Sequence, residues 1–237
     1  MNLAARPWIV AVILGLLALS PTPAHAGMTP EEVKAFEGYR AKAEKGDPIA
    51  QNKLGNCYAM GEGVAMDNTQ AVSWYRKAAA QGNADAQHQI GNRYYLGLGV
   101  TKDLVQAVSW WHMAAKQDHR EAQYNMGNSN LKGEGTPKDY SLAEEWFEKA
   151  AQSGHPMSNF ALGQLYETGE GVPKNHTEAY AYYNIAGITE EIARKNLTDL
   201  EKKLTKNEII EGQKLTRQKK DGIDRRAKGE KVEEPTR

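Results

Sequence analysis

The sequence is 237 residues long and contains 30 Lys or Arg and 30 Asp or Glu side chains, which gives no net charge. A nucleic-acid-binding protein neutralises phosphates with an excess of basic side chains, so this balance argues against a nucleic-acid partner. Cys57 is the single cysteine. It excludes an intrachain disulfide and leaves either a half-buried inert thiol or an intermolecular disulfide.

The first 26 residues have the pattern of an export signal. Arg6 precedes an apolar run over 8–19 that is too short to span a bilayer, and residues 24–26 read Ala-His-Ala, a small-x-small cleavage site. We therefore expect a signal peptide over 1–26, cleavage before Gly27 and a mature chain with no membrane span. An uncleaved anchor is the alternative. The signal and the lack of cysteine pairs predict an exported protein, periplasmic or secreted.

The segment 27–46 has the features of half a repeat. Thr29 and Glu32 form a capping-box pattern that starts a helix, with a proline at the first helical position. Tyr39 lies 36 residues before Tyr75, and this interval recurs along the chain. We predict a single helix that caps the N-terminal end of a stack of repeats.

Residues 47–187 repeat with a fixed period of 36 residues. The clearest markers are four glycines, Gly55, Gly91, Gly127 and Gly163. A period in this range indicates a solenoid, in which each short unit buries its apolar face against its neighbours. The predicted units are 47–82, 83–118, 119–154 and 155–187.

The second unit shows how one repeat is built. An apolar stripe at spacings of three and four over 84–96 predicts a helix, which a Gly-x-Gly loop then ends. Asp103 is a typical N-cap residue for a second helix over 104–116. That helix carries an aromatic pair, Trp110 and Trp111, and small alanines. The pattern predicts an antiparallel helix pair, with the aromatic pair filling the space between units.

These residues carry a family resemblance. In the first unit they are Leu54-Gly55, Tyr58, Gly61-Glu62-Gly63-Val64, Asp67, Ala71, Trp74-Tyr75 and Ala78-Ala79. The string resembles the Sel1-like repeat (SLR) family, relatives of the tetratricopeptide repeats, in four copies without a gap. The resemblance implies an all-α, right-handed superhelical solenoid of helix pairs that is used for protein–protein contact.

The third unit departs from the pattern at two positions. Asn130 stands where the other units have tyrosine, and Thr136 replaces the valine of the loop. These differences predict weaker packing in the third unit and indicate a local functional difference.

The repeat pattern stops after Gly187. Residues 188–218 predict two charged helices that shield the end of the stack, the second of them starting at a capping box of Thr205 and Glu208. From residue 219 to 237 the chain is charged and has few apolar side chains, so we predict a disordered, solvated tail. About eleven helices are expected in all.

No motif in the sequence supports catalysis. Zinc-binding His pairs, nucleophile–base motifs and phosphate-binding glycine loops are absent from it, so we predict a non-enzymatic protein without cofactor or metal. Glu62, Glu134 and Glu170 alternate with glycines and are interpreted as turn formers. Some proteins resembling this family act on cell walls or antibiotics, but they carry paired cysteines in each repeat, which this sequence lacks.

The candidate binding residues form two columns on the first helices, which normally line the concave face of such solenoids. Members of the two columns lie four residues apart, hence on one helix face. Amides can pair with the backbone of a bound peptide, and aromatic side chains can serve as anchors. The alternative is that the first column packs between units and the amides are solvated. The first column is Asn52, His88, Tyr124 and Phe160; the second is Asn56, Asn92, Asn128 and Gln164.

The leading functional hypothesis is a monomeric periplasmic scaffold that binds an unknown protein partner, peptide or effector in the concave groove. Periplasmic proteins with this repeat include immunity proteins, so an immunity factor against a secreted lipase or phospholipase effector is the alternative. An enzyme acting on cell-wall material or antibiotics is the third hypothesis, and the absence of a nucleophile–base pair disfavours it.

Overall fold

The computed structural model describes residues 27–232, which form eleven α-helices and contain no β-strand. One capping helix, four helix pairs and two terminal helices follow one another along the chain, as the sequence predicts. The predicted signal peptide 1–26 and residues 233–237 lie outside the described residues. The helices are α1 Pro30–Ala43, α2 Pro48–Met60, α3 Asn68–Ala80, α4 Ala84–Leu96, α5 Leu104–Ala115, α6 Arg120–Lys132, α7 Tyr140–Gln152, α8 Pro156–Thr168, α9 His176–Ala186, α10 Glu191–Glu201 and α11 Lys206–Ala227.

The helices stack in the order of the chain. The tightest packing joins the two helices of each repeat, α2 with α3, α4 with α5, α6 with α7 and α8 with α9. The second helix of one repeat then packs on the first helix of the next, and α1 covers α2. The result is the all-α solenoid of stacked helix pairs that the sequence predicts.

The loop between the helices of a repeat is held against the preceding repeat. Gly97 ends α4 in the left-handed conformation, with φ 72°. Gly99, with φ 74°, lies so near α3 that a Cβ atom there would be 2.2 Å from the carbonyl oxygen of Asn68. Asp103 then caps α5, because its carboxylate accepts a hydrogen bond from the Gln106 backbone N–H at 3.0 Å. The Gly-x-Gly loop thus both ends one helix and joins two repeats.

A glycine of each first helix contacts an aromatic ring of the second helix. A Cβ atom on Gly91 would lie 2.4 Å from Cδ1 of Trp111, and the corresponding distance at the other three repeats is 2.5–2.6 Å. The rings are buried, and Trp111 is 4% exposed. The 36-residue glycine period therefore marks the places where two helices approach each other most closely. The other three glycine–ring pairs are Gly55 with Tyr75, Gly127 with Phe147 and Gly163 with Tyr183.

The two members of the aromatic pair of the second repeat have different surroundings, and each also packs against a neighbouring unit, as the sequence predicts. Trp111 lies between the helices of its own repeat, whereas Trp110 is half-buried and packs against a cluster formed by α3 and α4. Consecutive residues of a helix point about 100° apart, so only one of the two can face the partner helix.

The predicted disordered tail over 219–237 is wrong in its first part. Helix α11 runs to Ala227 and packs along α9 and, more lightly, α7. Gly212 meets the ring of Tyr180, where a Cβ atom would lie 2.6 Å from Cδ1. This close packing orders a segment that has few apolar side chains of its own.

Polar contacts continue this packing beyond residue 219. The ammonium group of Lys219 donates to the hydroxyl of Tyr182 at 3.0 Å and pairs with Glu178 at 3.1 Å. Ile223 lies beside Gly154, the residue that follows α7 and its C-cap. The order therefore comes from the surface of the fourth repeat and the end of the third. The composition of the tail alone does not contain this information.

We expect Gly91→Ala to destabilise the protein by about 1–3 kcal/mol, because the new methyl group overlaps the Trp111 ring and forces the helices apart. The overlap with the ring should cost more than the helix propensity that alanine gains over glycine, which is about 1 kcal/mol. The measurement is urea unfolding followed by circular dichroism.

The matched control for this substitution is Gly38→Ala. Gly38 is exposed on α1, and no heavy atom lies within 4 Å of the position that a Cβ atom would take, so alanine should stabilise by about 0.5–1 kcal/mol. A stabilising Gly91→Ala would contradict the role of the glycine–ring contact.

Candidate functional site

In the second predicted column, some side-chain amides are hydrogen-bonded within the protein and others are not. Asn56 accepts a hydrogen bond from the Tyr75 hydroxyl at 2.7 Å. Asn92 accepts one from the Trp111 indole N–H at 2.9 Å and a longer one from the Asn125 amide at 3.4 Å. In the first two repeats the column therefore holds the buried aromatic ring of its own repeat in place.

The amides of the third and fourth repeats are free. Phe147 takes the place of Tyr75 and Trp111 in the third repeat and has no polar atom, so Asn128 receives no such bond. In the fourth repeat the Tyr183 hydroxyl donates to Glu167 at 2.9 Å instead. Within residues 27–232, Asn128 and Gln164 make no side-chain hydrogen bond. Gln164 is exposed and Asn128 is half-buried.

The first column packs mostly between helices, which is the alternative that the sequence left open. Asn52 is 8% exposed and Phe160 is 7% exposed, so both belong to the core and offer little surface to a partner. Phe160 packs beside Tyr183 with ring centroids 5.8 Å apart. The prediction of Phe160 as an anchor is therefore corrected: the ring fills the fourth repeat.

The other two members of the first column stack on histidines of the next repeat. The ring of His88 lies 4.6 Å from that of His119, and the ring of Tyr124 lies 4.5 Å from that of His155, both tilted by 30°. His88 and Tyr124 are half-buried. Each stack joins neighbouring repeats and leaves part of the aromatic ring at the surface.

A small cavity brings Asn92 and Asn128 together at the junction of the second and third repeats. Its volume is about 150 Å³, and Tyr95, Lys132 and Glu134 also line it. The Tyr95 hydroxyl donates to the Glu134 carboxylate at 3.2 Å across its edge. Amide, ammonium and carboxylate groups lie around the cavity together with aromatic rings, so it offers a ligand both polar and apolar contacts.

His88 is neutral in this environment. Burial, and second the neighbouring His119, lower the pKa of His88 to about 4, against the weaker opposing effects of Glu121 and Asp85. The side-chain amide nitrogen of Asn125, which can only donate, lies 3.2 Å from Nε2 of His88, so Nε2 accepts. Protonation of Nε2 would remove this acceptor and place a charge between two repeats.

His155 plays a structural part at the start of α8. Its Nδ1 accepts a hydrogen bond from the Ser158 backbone N–H at 3.1 Å, and burial lowers its pKa. His119 caps α6 in the same way, accepting from the Ala122 N–H at 3.2 Å. The histidines at the turns between repeats are thus N-cap residues.

Sequence reasoning missed a set of buried glutamines, Gln51, Gln87 and Gln123, each next to a member of the first column. The Gln87 amide donates to the Ala79 carbonyl at 3.4 Å, and Gln117 donates to the Gln87 oxygen at 2.8 Å. Ser153 stands at the position of Gln117 one repeat later, so the buried oxygen of Gln123 has no partner. The 36-residue interval between the glutamines is the signal that could have identified them.

The described residues do not assemble a metal centre. No group of three or more His, Cys, Asp or Glu side chains within 27–232 is placed to hold a metal ion. Cys57 is buried at 5% exposure, and burial raises the pKa of its thiol. This is the environment of an inert thiol.

Comparison with known proteins identifies the repeat. The family model described as Sel1 repeat matches residues 48–83, 84–119, 120–155 and 156–187. The chain belongs to the Sel1 repeat family. Proteins with this repeat are generally scaffolds for protein–protein interaction and are typically non-enzymatic. The matched boundaries fall within one residue of those that the glycine period predicts.

Two solved structures of bacterial Sel1 repeat proteins are similar to this chain. One is a protective antigen of uropathogenic Escherichia coli strains with an SLR fold, at 34% identity and a TM-score of 0.75, covering 86% of this chain and 45% of that one. The other is a Sel1 repeat protein from Oxalobacter formigenes, at 35% identity and a TM-score of 0.65, covering 71% and 72%. The chain therefore spans less than half the length of the antigen.

Other comparisons add no function. An immunity protein from Pseudomonas aeruginosa matches at 16% identity with a TM-score of 0.38, covering 67% of this chain and 82% of that one, which is too distant to carry an argument. The comparison with curated proteins gives no match. Among residues 27–232 no helix has both the length and the apolar character needed to cross a membrane.

We expect the free energy of unfolding to fall as the pH is lowered from about 6.5 towards 4. In this window the unfolded chain protonates His88 while the folded chain does not, so stability is lost as the pH falls. The contribution of this one group is at most about 3 kcal/mol. Urea unfolding at a series of pH values measures it.

The control is His88→Asn, because the first repeat has Asn52 at the equivalent position. The variant should lose less stability than the wild type over the same window, since carboxylates titrate equally in both proteins. Equal losses would show that His88 does not carry this pH dependence.

Proposed function

We propose that the protein is a non-enzymatic, exported scaffold that binds a polypeptide along the face formed by its first helices, with Asn128 and Gln164 as the principal polar contacts. One observation carries this proposal. The amides of the first two repeats are held by Tyr75 and Trp111, whereas those of the third and fourth repeats are free. Two amides a repeat apart offer donors and acceptors that match a peptide backbone.

Neighbouring side chains add to this surface. Tyr124 lies one helical turn before Asn128, and its stack on His155 fixes the ring at the surface. A fixed aromatic ring next to a free amide contributes apolar contact at a low entropic cost. The small cavity beside Asn92 extends the surface towards the second repeat. We place the centre of the binding face at the third repeat.

An immunity protein is a special case of this proposal, in which the partner is a secreted lipase or phospholipase effector. The binding surface would be the same, so the identity of the captured protein decides between the two. An adaptor would recover a resident protein of the same compartment.

The binding face is tested by capture from the native cells with wild-type protein and the double variant Asn128→Ala/Gln164→Ala, read by mass spectrometry. We expect the double variant to lose a protein that the wild type recovers, with an affinity reduced about tenfold or more because two desolvated contacts are lost. Its melting temperature should not change, because neither amide has an intramolecular partner.

The matched control is Gln70→Ala/Gln106→Ala, which removes two exposed amides from second helices. This variant should recover the partner as the wild type does. If both double variants bind equally well, the interface lies away from the first helices and the proposal fails.

We also propose that the protein is exported and cleaved. The proposal rests on the apolar run over 8–19 and the Ala-His-Ala sequence at 24–26. N-terminal sequencing of the protein from its native host should begin at Gly27. A product that starts at Met1 would contradict cleavage, and its recovery from the cytoplasm would contradict export.

A further inference from the structure

A tyrosine of the first helix fills the space between neighbouring repeats in three of the four units. The Tyr94 hydroxyl accepts a hydrogen bond from Arg76 of the preceding second helix at 2.9 Å. Tyr166 donates its hydroxyl to Glu144 and stacks on Tyr182, with centroids 5.8 Å apart and planes 9° apart. The ring and its hydroxyl are thus a recurring element of the junction. The three tyrosines are Tyr58, Tyr94 and Tyr166.

The junction between the second and third repeats lacks this ring. Asn130 occupies the tyrosine position and turns back on its own helix, donating to the Met126 carbonyl at 2.8 Å. A cavity of about 410 Å³ lies between α5, α6 and α7 in its place. Thr136, the second residue that departs from the repeat pattern, also lines it. The two departures therefore have one structural consequence.

The cavity lies where the tyrosine would be. Its walls include Val108 and His112 of α5. His112 is 36 residues after Arg76, which donates to the tyrosine hydroxyl at the preceding junction. Val108 is 36 residues before Glu144, which accepts from the tyrosine hydroxyl at the following junction. The space is thus lined by the residues that would otherwise contact a phenol ring.

The rim of the cavity is apolar only at this junction. Val105 of α5 is 65% exposed and Leu142 of α7 is 36% exposed. A ligand that enters the cavity would remove part of these apolar side chains from water. The equivalent positions elsewhere are polar: Thr69, Ser141 and Thr177 for Val105, and Gln70, Gln106 and Glu178 for Leu142.

Trp146 lines the same cavity and carries a buried hydrogen-bond donor. Trp146 is 8% exposed, and its indole Nε1 has no hydrogen-bond partner. The ring of His112 lies edge-on to it at 5.9 Å. A buried donor without a partner destabilises a protein, so a ligand with an acceptor oxygen would gain from this site. The cavity therefore offers an apolar space with polar groups of fixed position.

We propose that this cavity binds a tyrosine side chain presented by a polypeptide partner. The phenol ring takes the place of the missing tyrosine ring, and its hydroxyl oxygen accepts a hydrogen bond from Trp146 Nε1, with His112 beside it. The choice of a polypeptide as source rests on the proposed function. Residues 1–26 and 233–237 contain no tyrosine, so the parts of the chain outside the structure do not supply one.

The site differs from the face that carries Asn128. Asn130 follows Asn128 by two residues and therefore points about 200° away around α6. A polypeptide that engages both sites would wrap around the third repeat. Titration of the cavity with a small phenol involves neither Asn128 nor Gln164, so its outcome is independent of the capture experiment.

The probe is p-cresol, the side chain of tyrosine, titrated into the purified protein with ¹⁵N-labelled tryptophan. The indole N–H signal of Trp146, assigned from the loss of one signal in Trp146→Phe, should shift with a dissociation constant of about 1 mM, as suits eight non-hydrogen atoms. Toluene lacks the hydroxyl and should bind about tenfold more weakly. A blocked Gly-Tyr-Gly peptide should shift the same signal.

Two variants test the assignment. Asn130→Tyr restores the residue of the other repeats, fills the cavity and should weaken p-cresol binding about tenfold or more while retaining the fold. Trp146→Phe keeps an aromatic ring and removes the donor, so one-dimensional ligand-observed NMR should show p-cresol binding no better than toluene. If Asn130→Tyr does not fold, the result with Trp146→Phe decides the test.

Three results would overturn the proposal. The first is a Trp146 indole signal that p-cresol does not shift at tens of millimolar. The second is unchanged p-cresol affinity in Asn130→Tyr, or in Trp146→Phe where the first variant is unfolded. The third is binding of free p-cresol without binding of the blocked tyrosine peptide, which would make the cavity a site for small phenols only.

Discussion

The contact between a glycine of the first helix and an aromatic ring of the second determines the geometry of every repeat. Without a Cβ atom at Gly91, the helix backbone lies directly on the Trp111 ring, and small alanines close the rest of the interface. The chemical identity of the ring also affects whether the neighbouring amide at the surface is hydrogen-bonded. Tyrosine or tryptophan engages the neighbouring amide in the first two repeats, whereas Phe147 leaves Asn128 free. In the first three repeats this interior position thus affects both the packing of the helix pair and whether the neighbouring amide is hydrogen-bonded.

The period of the sequence predicted the helices, the loops and the two departures in the third repeat, because each feature recurs where the same contact recurs. The period could not show which surface positions become buried. Asn52 and Phe160 lie in the core because neighbouring helices cover them, and the pattern within one repeat does not contain those neighbours. The order of α11 beyond residue 219 likewise depends on the Tyr180 and Glu178 surface. The cavity beside Asn130 is left open because the Asn130 side chain turns back on its own helix, and the sequence does not show that direction.

The third repeat combines two buried polar atoms that lack a hydrogen-bond partner with a cavity. The buried oxygen of Gln123 lacks a partner, the Trp146 N–H lacks an acceptor, and Asn130 leaves a cavity. A solenoid is stabilised by each unit and by its contacts with the next, so such deficits remain local and do not unfold the whole. Regions of lower local stability are where binding surfaces are commonly found.

Helix α11 has a consequence for the synthesis of the chain. Tyr180 of the fourth repeat is 2% exposed, and Gly212 of α11 covers its ring. The ribosome releases the fourth repeat before the segment that covers it, so a nascent chain carries an uncovered tyrosine surface at its growing end. The first three repeats can form their contacts as they emerge, since those contacts are local in sequence. The fourth repeat is completed last, and a product truncated before Gly212 would expose an apolar surface that proteases and chaperones recognise.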